Sequence, residues 1–284
     1  MRSNRIDIRP IAGALGAEIH GVDLARDLTP ATIDSIRRAF LDHLVIFFRN
    51  QTLDSAGFMA FARAMGQPVE YPFVKGLKEE PLIIPVVKLE HERINFGGIW
   101  HSDTTYLARP PMGSMLIARE VPPYGGDTLF ANQYLAYETL SPGLKRTLDH
   151  LTGVSDSMRA DVSRTREDRI RDNPNADATK RYVAEHPVVR THPETGRKSL
   201  YVNIAHTARF RDMTEDESAP LLRYLFEHQV RPEFTCRFRY TNGSIAFWDN
   251  RASQHYAASD YFPAVRVMER VTIAGDRPYF DRKR

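Results

Sequence analysis

Residues Val265 to Ile273 alternate with the two-residue period of a β-strand, which places Arg266, Met268, Arg270 and Thr272 on one face. Two guanidiniums turned toward a half-apolar interior are costly unless each meets an anion. A chain with this strand must therefore fold around an interior that accommodates negative groups. Arginine suits the task, because its planar fork grips a carboxylate or sulfonate through paired hydrogen bonds.

The segment Trp100-His101-Ser102-Asp103-Thr104-Thr105-Tyr106 adds an imidazole and a carboxylate one residue apart among strand-forming neighbours. In an extended chain His101 and Asp103 point one way, while Ser102 and Thr104 point the other. That is two-thirds of a 2-His-1-carboxylate set, which leaves three adjacent positions on iron open. His255 is the candidate third ligand, expected on the turn that leaves the apolar strand Ile245-Ala246-Phe247-Trp248. A His-x-Asp pair in a strand is more often a surface pair or a hydrogen-bonded core histidine. The downstream arginines shift that balance.

The chain resembles the taurine dioxygenase (TauD/TfdA) family of Fe(II)- and 2-oxoglutarate-dependent oxygenases nearly end to end. The resemblance rests on Ile11 to Ile19, Trp100-His101-Ser102-Asp103, Gly125-Gly126-Asp127-Thr128, His186 to Pro193, Trp248-Asp249-Asn250 through Gln254-His255-Tyr256, and Gly275-Asp276-Arg277-Pro278. It implies that His101, Asp103 and His255 hold iron and act in catalysis, and that Thr128 and Arg266 bind the distal carboxylate of 2-oxoglutarate. Arg270 would then face the anionic group of the substrate. In the segment Gln67 to Gly76, with Glu70, Tyr71, Pro72 and Phe73, the family carries substrate-contacting side chains, and here the chain departs from the taurine enzymes. A histidine and a tyrosine there become Tyr71 and Val74, and an asparagine becomes Gly97, with Asn95 close by. Tyr71 and Asn95 are thus expected substrate contacts, and taurine itself is disfavoured.

The 284 residues, 42% hydrophobic, suffice for a real core. Lysine and arginine number 39 against 36 aspartates and glutamates, a net charge of +3 too weak and dispersed to argue for nucleic acid. Cys236, the single cysteine, lies among alternating apolar residues and is expected in the core; one chain can form no disulfide. The first ten residues lack an apolar signal core, and no run of about eighteen apolar residues occurs. These features predict a soluble cytoplasmic protein with no membrane partner, and family habit adds a homo-oligomer, a dimer or tetramer.

Thr29 as cap with Pro30 in the first turn predicts a helix whose Ile33, Ile36 and Phe40 face inward; Asp54 predicts a second with Phe58, Phe61 and Met65, stopping at Gly66. Thr214 and Glu217 form a capping box ahead of Leu221, Leu222, Leu225 and Phe226. Strands are expected at Leu44 to Phe48, Met112 to Arg119, Pro187 to Thr191 and Ser199 to Asn203. Residues 156–181 carry seven basic and six acidic side chains with few large apolar ones, so they are expected as a solvated insertion or a lid. Expected ligands lie on both sides of it, which keeps residues 1–284 as one domain. His186 and His192 with Glu185 make a weaker rival metal set, because turn-forming residues separate them.

Many short strands with helices outside predict a mainly β chain with flanking α-helices, arranged as a double-stranded β-helix, the jelly roll shared with cupins. The resemblance implies the reaction: 2-oxoglutarate and O2 are consumed, a small anionic organic substrate is hydroxylated, and succinate and carbon dioxide leave. Sulfonates, sulfate esters and carboxylic or aryloxy acids all fit Arg270, and hydroxylation beside a heteroatom lets the product collapse to an aldehyde or ketone. A halogenase is disfavoured because Asp103 fills the position a halide would need. Zinc hydrolysis gives Arg266 no task, and a non-catalytic metal- or metabolite-binding protein is the alternative.

Overall fold

The computed structural model describes residues 6–93, 95, 97–159 and 181–283. Local signals set its helices. Thr29 accepts a hydrogen bond from the Thr32 backbone N–H and opens helix Pro30–His43, while Asp54 does the same from Gly57 for helix Ser55–Met65, which ends at Gly66. The reciprocal Thr214 and Glu217 bonds start helix Glu215–His228. These caps satisfy amide donors that a helix leaves unpaired at its first turn.

The main sheet runs, in spatial order, through Asp7–Pro10, Ala17–His20, Val45–Phe48, Ile245–Asp249, Gly113–Glu120, Arg266–Ile273 and Pro68–Val69, with Ile84–Lys88 also paired to Arg266–Ile273. Parity divides its side chains between two cores. Ile46, Phe48, Met115, Ile117, Ile245, Phe247, Val271 and Ile273 pack against Ile36, Phe40, Phe58 and Phe61 of the two N-terminal helices. Phe40 stacks on Phe247 with ring centroids 4.1 Å apart.

The opposite face carries Val45, Phe47, Leu116, Ala118, Ala246, Trp248 and Met268 against Phe130, Cys236 and Phe238. These last belong to a second sheet, ordered Thr235–Phe238, Thr128–Asn132, Ser253–Ala257. Phe47 stacks on Phe238 at 3.9 Å and meets Phe130 edge-on at 5.7 Å, so two aromatic contacts lock the sheets face to face. Cys236 lies in this core, and burial pushes its thiol up to about 12. Because Met268 packs here, Arg266 and Arg270 point between the sheets, as their period requires. The result is a cupin-like jelly roll with helices outside.

A third sheet joins Thr207–Phe210, Thr152–Asp156 and Val183–Pro187. Most of the insertion expected at 156–181 lies outside the described residues. Its expected first residue differs from a solvated one: Asp156 is the buried end of a strand and pairs with Arg181. The expected hairpin pairs Val189–Thr191 with Lys198–Leu200, shorter than expected at its open end only. No helix among the described residues is long and apolar enough to cross a membrane.

Candidate active site

Residues 103 to 106 are a turn rather than the strand expected there, and Thr104 sits in the left-handed region at φ +44°. His101 alone keeps strand character. Its N–H donates to the His255 carbonyl at 3.1 Å, and the His255 N–H donates back at 2.8 Å, an antiparallel bridge on the edge of the second sheet. His255 is within strand Ser253–Ala257, one turn later than the position expected. Ser102 Oγ donates to the Ser253 carbonyl at 2.8 Å, anchoring the turn to the same strand.

The bridge brings the two imidazoles to 4.0 Å between centroids, with Asp103 Oδ1 at 3.7 Å from His101 Nε2 and 3.9 Å from His255 Nε2. Among the described residues these three make the one metal-competent group, with one donor atom from each inside 4.8 Å. His101 Nδ1 lies 2.7 Å from the Ile99 carbonyl, which fixes that nitrogen as the proton carrier and leaves the Nε2 lone pair available to a cation. Burial lowers both imidazoles below their ordinary pKa. Burial works against the Asp103 anion, but His255, Arg270, His101 and the Ser114 hydroxyl together hold its carboxyl well below the usual range. Neutral imidazoles beside a carboxylate are the protonation state a divalent cation needs.

The same cavity is lined by Thr128, Arg266, Arg270 and Trp248 with the two histidines. Arg266 is buried and lies over the Tyr240 ring, yet its Nε and Nη2 meet no hydrogen-bond acceptor among the described residues. A buried guanidinium in that state is costly, and an anion entering the cavity would offset the cost. Arg270 also lines it, with Nη1 3.4 Å from Asp103 Oδ1 and its guanidinium 4.5 Å over the Tyr71 ring. A group of three possible ligands beside a buried arginine that lacks acceptors fits Fe(II) and a dicarboxylate cosubstrate.

The profile of the family described as "Taurine catabolism dioxygenase TauD, TfdA family" matches residues 7–272. The chain belongs to the TauD/TfdA family. It is 37% identical to the alpha-ketoglutarate-dependent sulfate ester dioxygenase of Pseudomonas putida over 96% of this chain and 91% of that one. With the alkylsulfatase of Acinetobacter baylyi the identity is 34% over 96% and 86%. A taurine dioxygenase from Burkholderia xenovorans superposes with TM-score 0.83 at 38% identity, covering 98% and 92%. This TauD/TfdA protein is therefore an oxidoreductase that uses Fe(II), 2-oxoglutarate and O2, not a mere binding protein.

The roles of other residues around the site follow only from the fold. Asn250 clamps the backbone of Asp103, its Oδ1 accepting from the Asp103 N–H at 2.6 Å and its Nδ2 donating to the Asp103 carbonyl at 3.0 Å. Gly126 has φ +68°, and a Cβ there would lie 3.1 Å from Arg266 Cδ, so the glycine both makes the turn and gives the arginine room. Asn95 is buried, but its amide donates to the Ala258 carbonyl at 2.9 Å and it stands outside the cavity lining named above. The rival histidines diverge: His192 Nε2 lies 3.0 Å from Asp249 Oδ2, whereas His186 Nε2 serves the Thr105 and Leu107 carbonyls at 2.8 and 3.0 Å.

His206, which has no ligand partner in sequence, packs behind the metal loop of this dioxygenase, with Nδ1 3.0 Å from Thr105 Oγ1. Burial, aided by His101, pushes it down to about 3, and burial pushes His186 down to about 4. Below pH 6.5 the unfolded chain gains protons on these side chains that the folded chain refuses, so acid favours unfolding. The metal-free protein is expected to lose up to about 1.4 kcal/mol of stability per pH unit per histidine from pH 6.5 toward 4. Urea unfolding at pH 7.5, 5.5 and 4.5 checks this, and a flat series contradicts it.

Proposed function

We propose that this dioxygenase hydroxylates a small organic sulfate ester or sulfonate, with His101, Asp103 and His255 as iron ligands, Thr128 and Arg266 as the 2-oxoglutarate anchor, and Arg270 as reader of the substrate anion. The observation that carries the reading is the placement of two buried arginines in the cavity that also holds the ligand group. Arg266, with its acceptor-free nitrogens beside Thr128, suits a carboxylate held for the whole turnover. Arg270, against Asp103 and Tyr71, suits an anion that must present a neighbouring carbon to the metal. Near-full-length likeness to enzymes named for sulfate esters and alkyl sulfates supports sulfate over carboxylate.

Bound Fe(II) supplies the oxidative chemistry, in which one oxygen atom of O2 enters succinate and the other the substrate. The protein supplies position and dryness. Arg270 holds the anion, the rings of Tyr71, Phe73 and Tyr106 contact one another beside it at 5.8 and 5.9 Å, and their apolar faces exclude water from the organic part. Tyr71 and Val74 form a small apolar cluster with Ile84, which favours an alkyl or aryl group over the amino group of taurine. Asn95 serves as a backup polar contact if its segment shifts. Hydroxylation of the carbon bearing a sulfate oxygen gives a hemiacetal-like sulfate, which releases sulfate and leaves an aldehyde or ketone.

The test is oxygen-dependent succinate formation across alkyl sulfates, sulfonates including taurine, aryloxy acids and amino-substituted carboxylates, with alkyl sulfates expected to lead. In Arg270→Ala the substrate KM should rise about 30- to 1,000-fold, matching the roughly 2–4 kcal/mol of a broken buried charge pair, with the 2-oxoglutarate KM nearly unchanged. Equal loss of both would overturn the division of labour between the arginines. The reading also has the enzyme work in the cytoplasm as a dimer or tetramer, which light scattering on the purified protein tests.

A further inference from the structure

We infer that Ser114 is a positioning residue that holds Asp103 with Oδ1 aimed at the metal. This rests on the assignment of Asp103 to the metal site. Ser114 is fully buried on strand Gly113–Glu120, which belongs to the main sheet and not to the sheet that carries His255. Its Oγ donates to Asp103 Oδ2 at 2.7 Å, while Oδ1 alone is turned toward the two imidazoles. Asn250 holds the Asp103 backbone from both sides, so the carboxylate cannot follow a rotation of its own peptide. What remains is rotation about the side chain, and the Ser114 hydroxyl opposes it. A carboxylate free to turn would swing Oδ1 out of line with the two imidazoles and weaken the cation's third bond. Hydrogen bonds to the distal atoms of metal ligands commonly change metal affinity by about 10- to 100-fold.

The experiment is Mn(II) titration of the metal-free full-length protein, followed by the loss of the free-ion paramagnetic resonance signal, with thermal unfolding of each metal-free variant alongside. Ser114→Ala should bind Mn(II) about 10- to 100-fold more weakly with its unfolding temperature nearly kept, and Ser114→Thr, which retains the hydroxyl, should restore most of the affinity. Should the alanine variant fail to fold, Ser114→Cys, similar in shape with a weaker donor, takes its place and must show a loss. Parental affinity in Ser114→Ala or Ser114→Cys, or an equal loss in Ser114→Thr, overturns the role of Ser114. Asp103→Ala separates the two readings: parental Mn(II) affinity in that variant would remove Asp103 from the metal site altogether, whereas its loss without any in Ser114→Ala defeats only the positioning role.

Discussion

His255→Ala should abolish oxygen-dependent succinate formation, by at least about 1,000-fold, a loss on the order of 4 kcal/mol in transition-state stabilisation. The imidazole is one of three donors in the one metal-competent cluster among the described residues, so its removal leaves a two-ligand site. It also lies between Trp248 at 4.7 Å and His101 at 4.0 Å, so the variant opens space in the wall of the cavity. The two consequences separate experimentally. Loss of metal affinity follows from the missing ligand, and a lower unfolding temperature of the metal-free protein follows from the missing contacts. Succinate formation at a tenth of the parental rate or better would show that His255 is not a ligand.

Arg266→Ala should raise the 2-oxoglutarate requirement about 150- to 5,000-fold, since breaking a buried ion pair costs roughly 3–5 kcal/mol. Arg266→Lys should recover little, because an ammonium cannot reproduce a two-point grip on a carboxylate. The metal-free, cosubstrate-free protein should behave in the opposite sense. There the Arg266 Nε and Nη2 are buried without an acceptor, so taking the guanidinium away should leave thermal stability equal or higher. Adding 2-oxoglutarate with Mn(II) should then stabilise the parent and not the variant. A variant that is destabilised when empty, yet binds 2-oxoglutarate normally, would mean that Arg266 is only a packing residue.

Features governed by short-range chemistry were readable in the chain. Thr29, Asp54 and the Thr214 with Glu217 pair announce helix starts because a cap is satisfied within three residues. Arg266 and Arg270 share a face because a strand's period is two, and burial of Met268 between them follows the same rule. The local reading of the metal loop was less accurate: His101 and Asp103 were placed together by strand alternation, whereas a turn with Thr104 at positive φ brings them there. Only the likeness to a family brought His255 into the same group with any force. Ser114 carried no mark, and Asn250 stood only inside a family motif with no role attached, because their partner Asp103 is 11 and 147 residues away and only the folded sheets bring it near. Gly126 looked like an ordinary turn glycine until the side chain of Arg266 was seen to run past it.

The antiparallel bridge between His101 and His255 ties together segments that the ribosome makes far apart in time; the neighbouring Ser102 to Ser253 bond spans 151 residues. Among the described residues, the three-donor group is incomplete in any fragment that stops before His255. A nascent chain displaying His101 and Asp103 offers the cell's free zinc and copper only a pair of donors, and the full set appears once the C-terminal strands have docked. Assembly of the full donor set is thereby deferred to the finished fold.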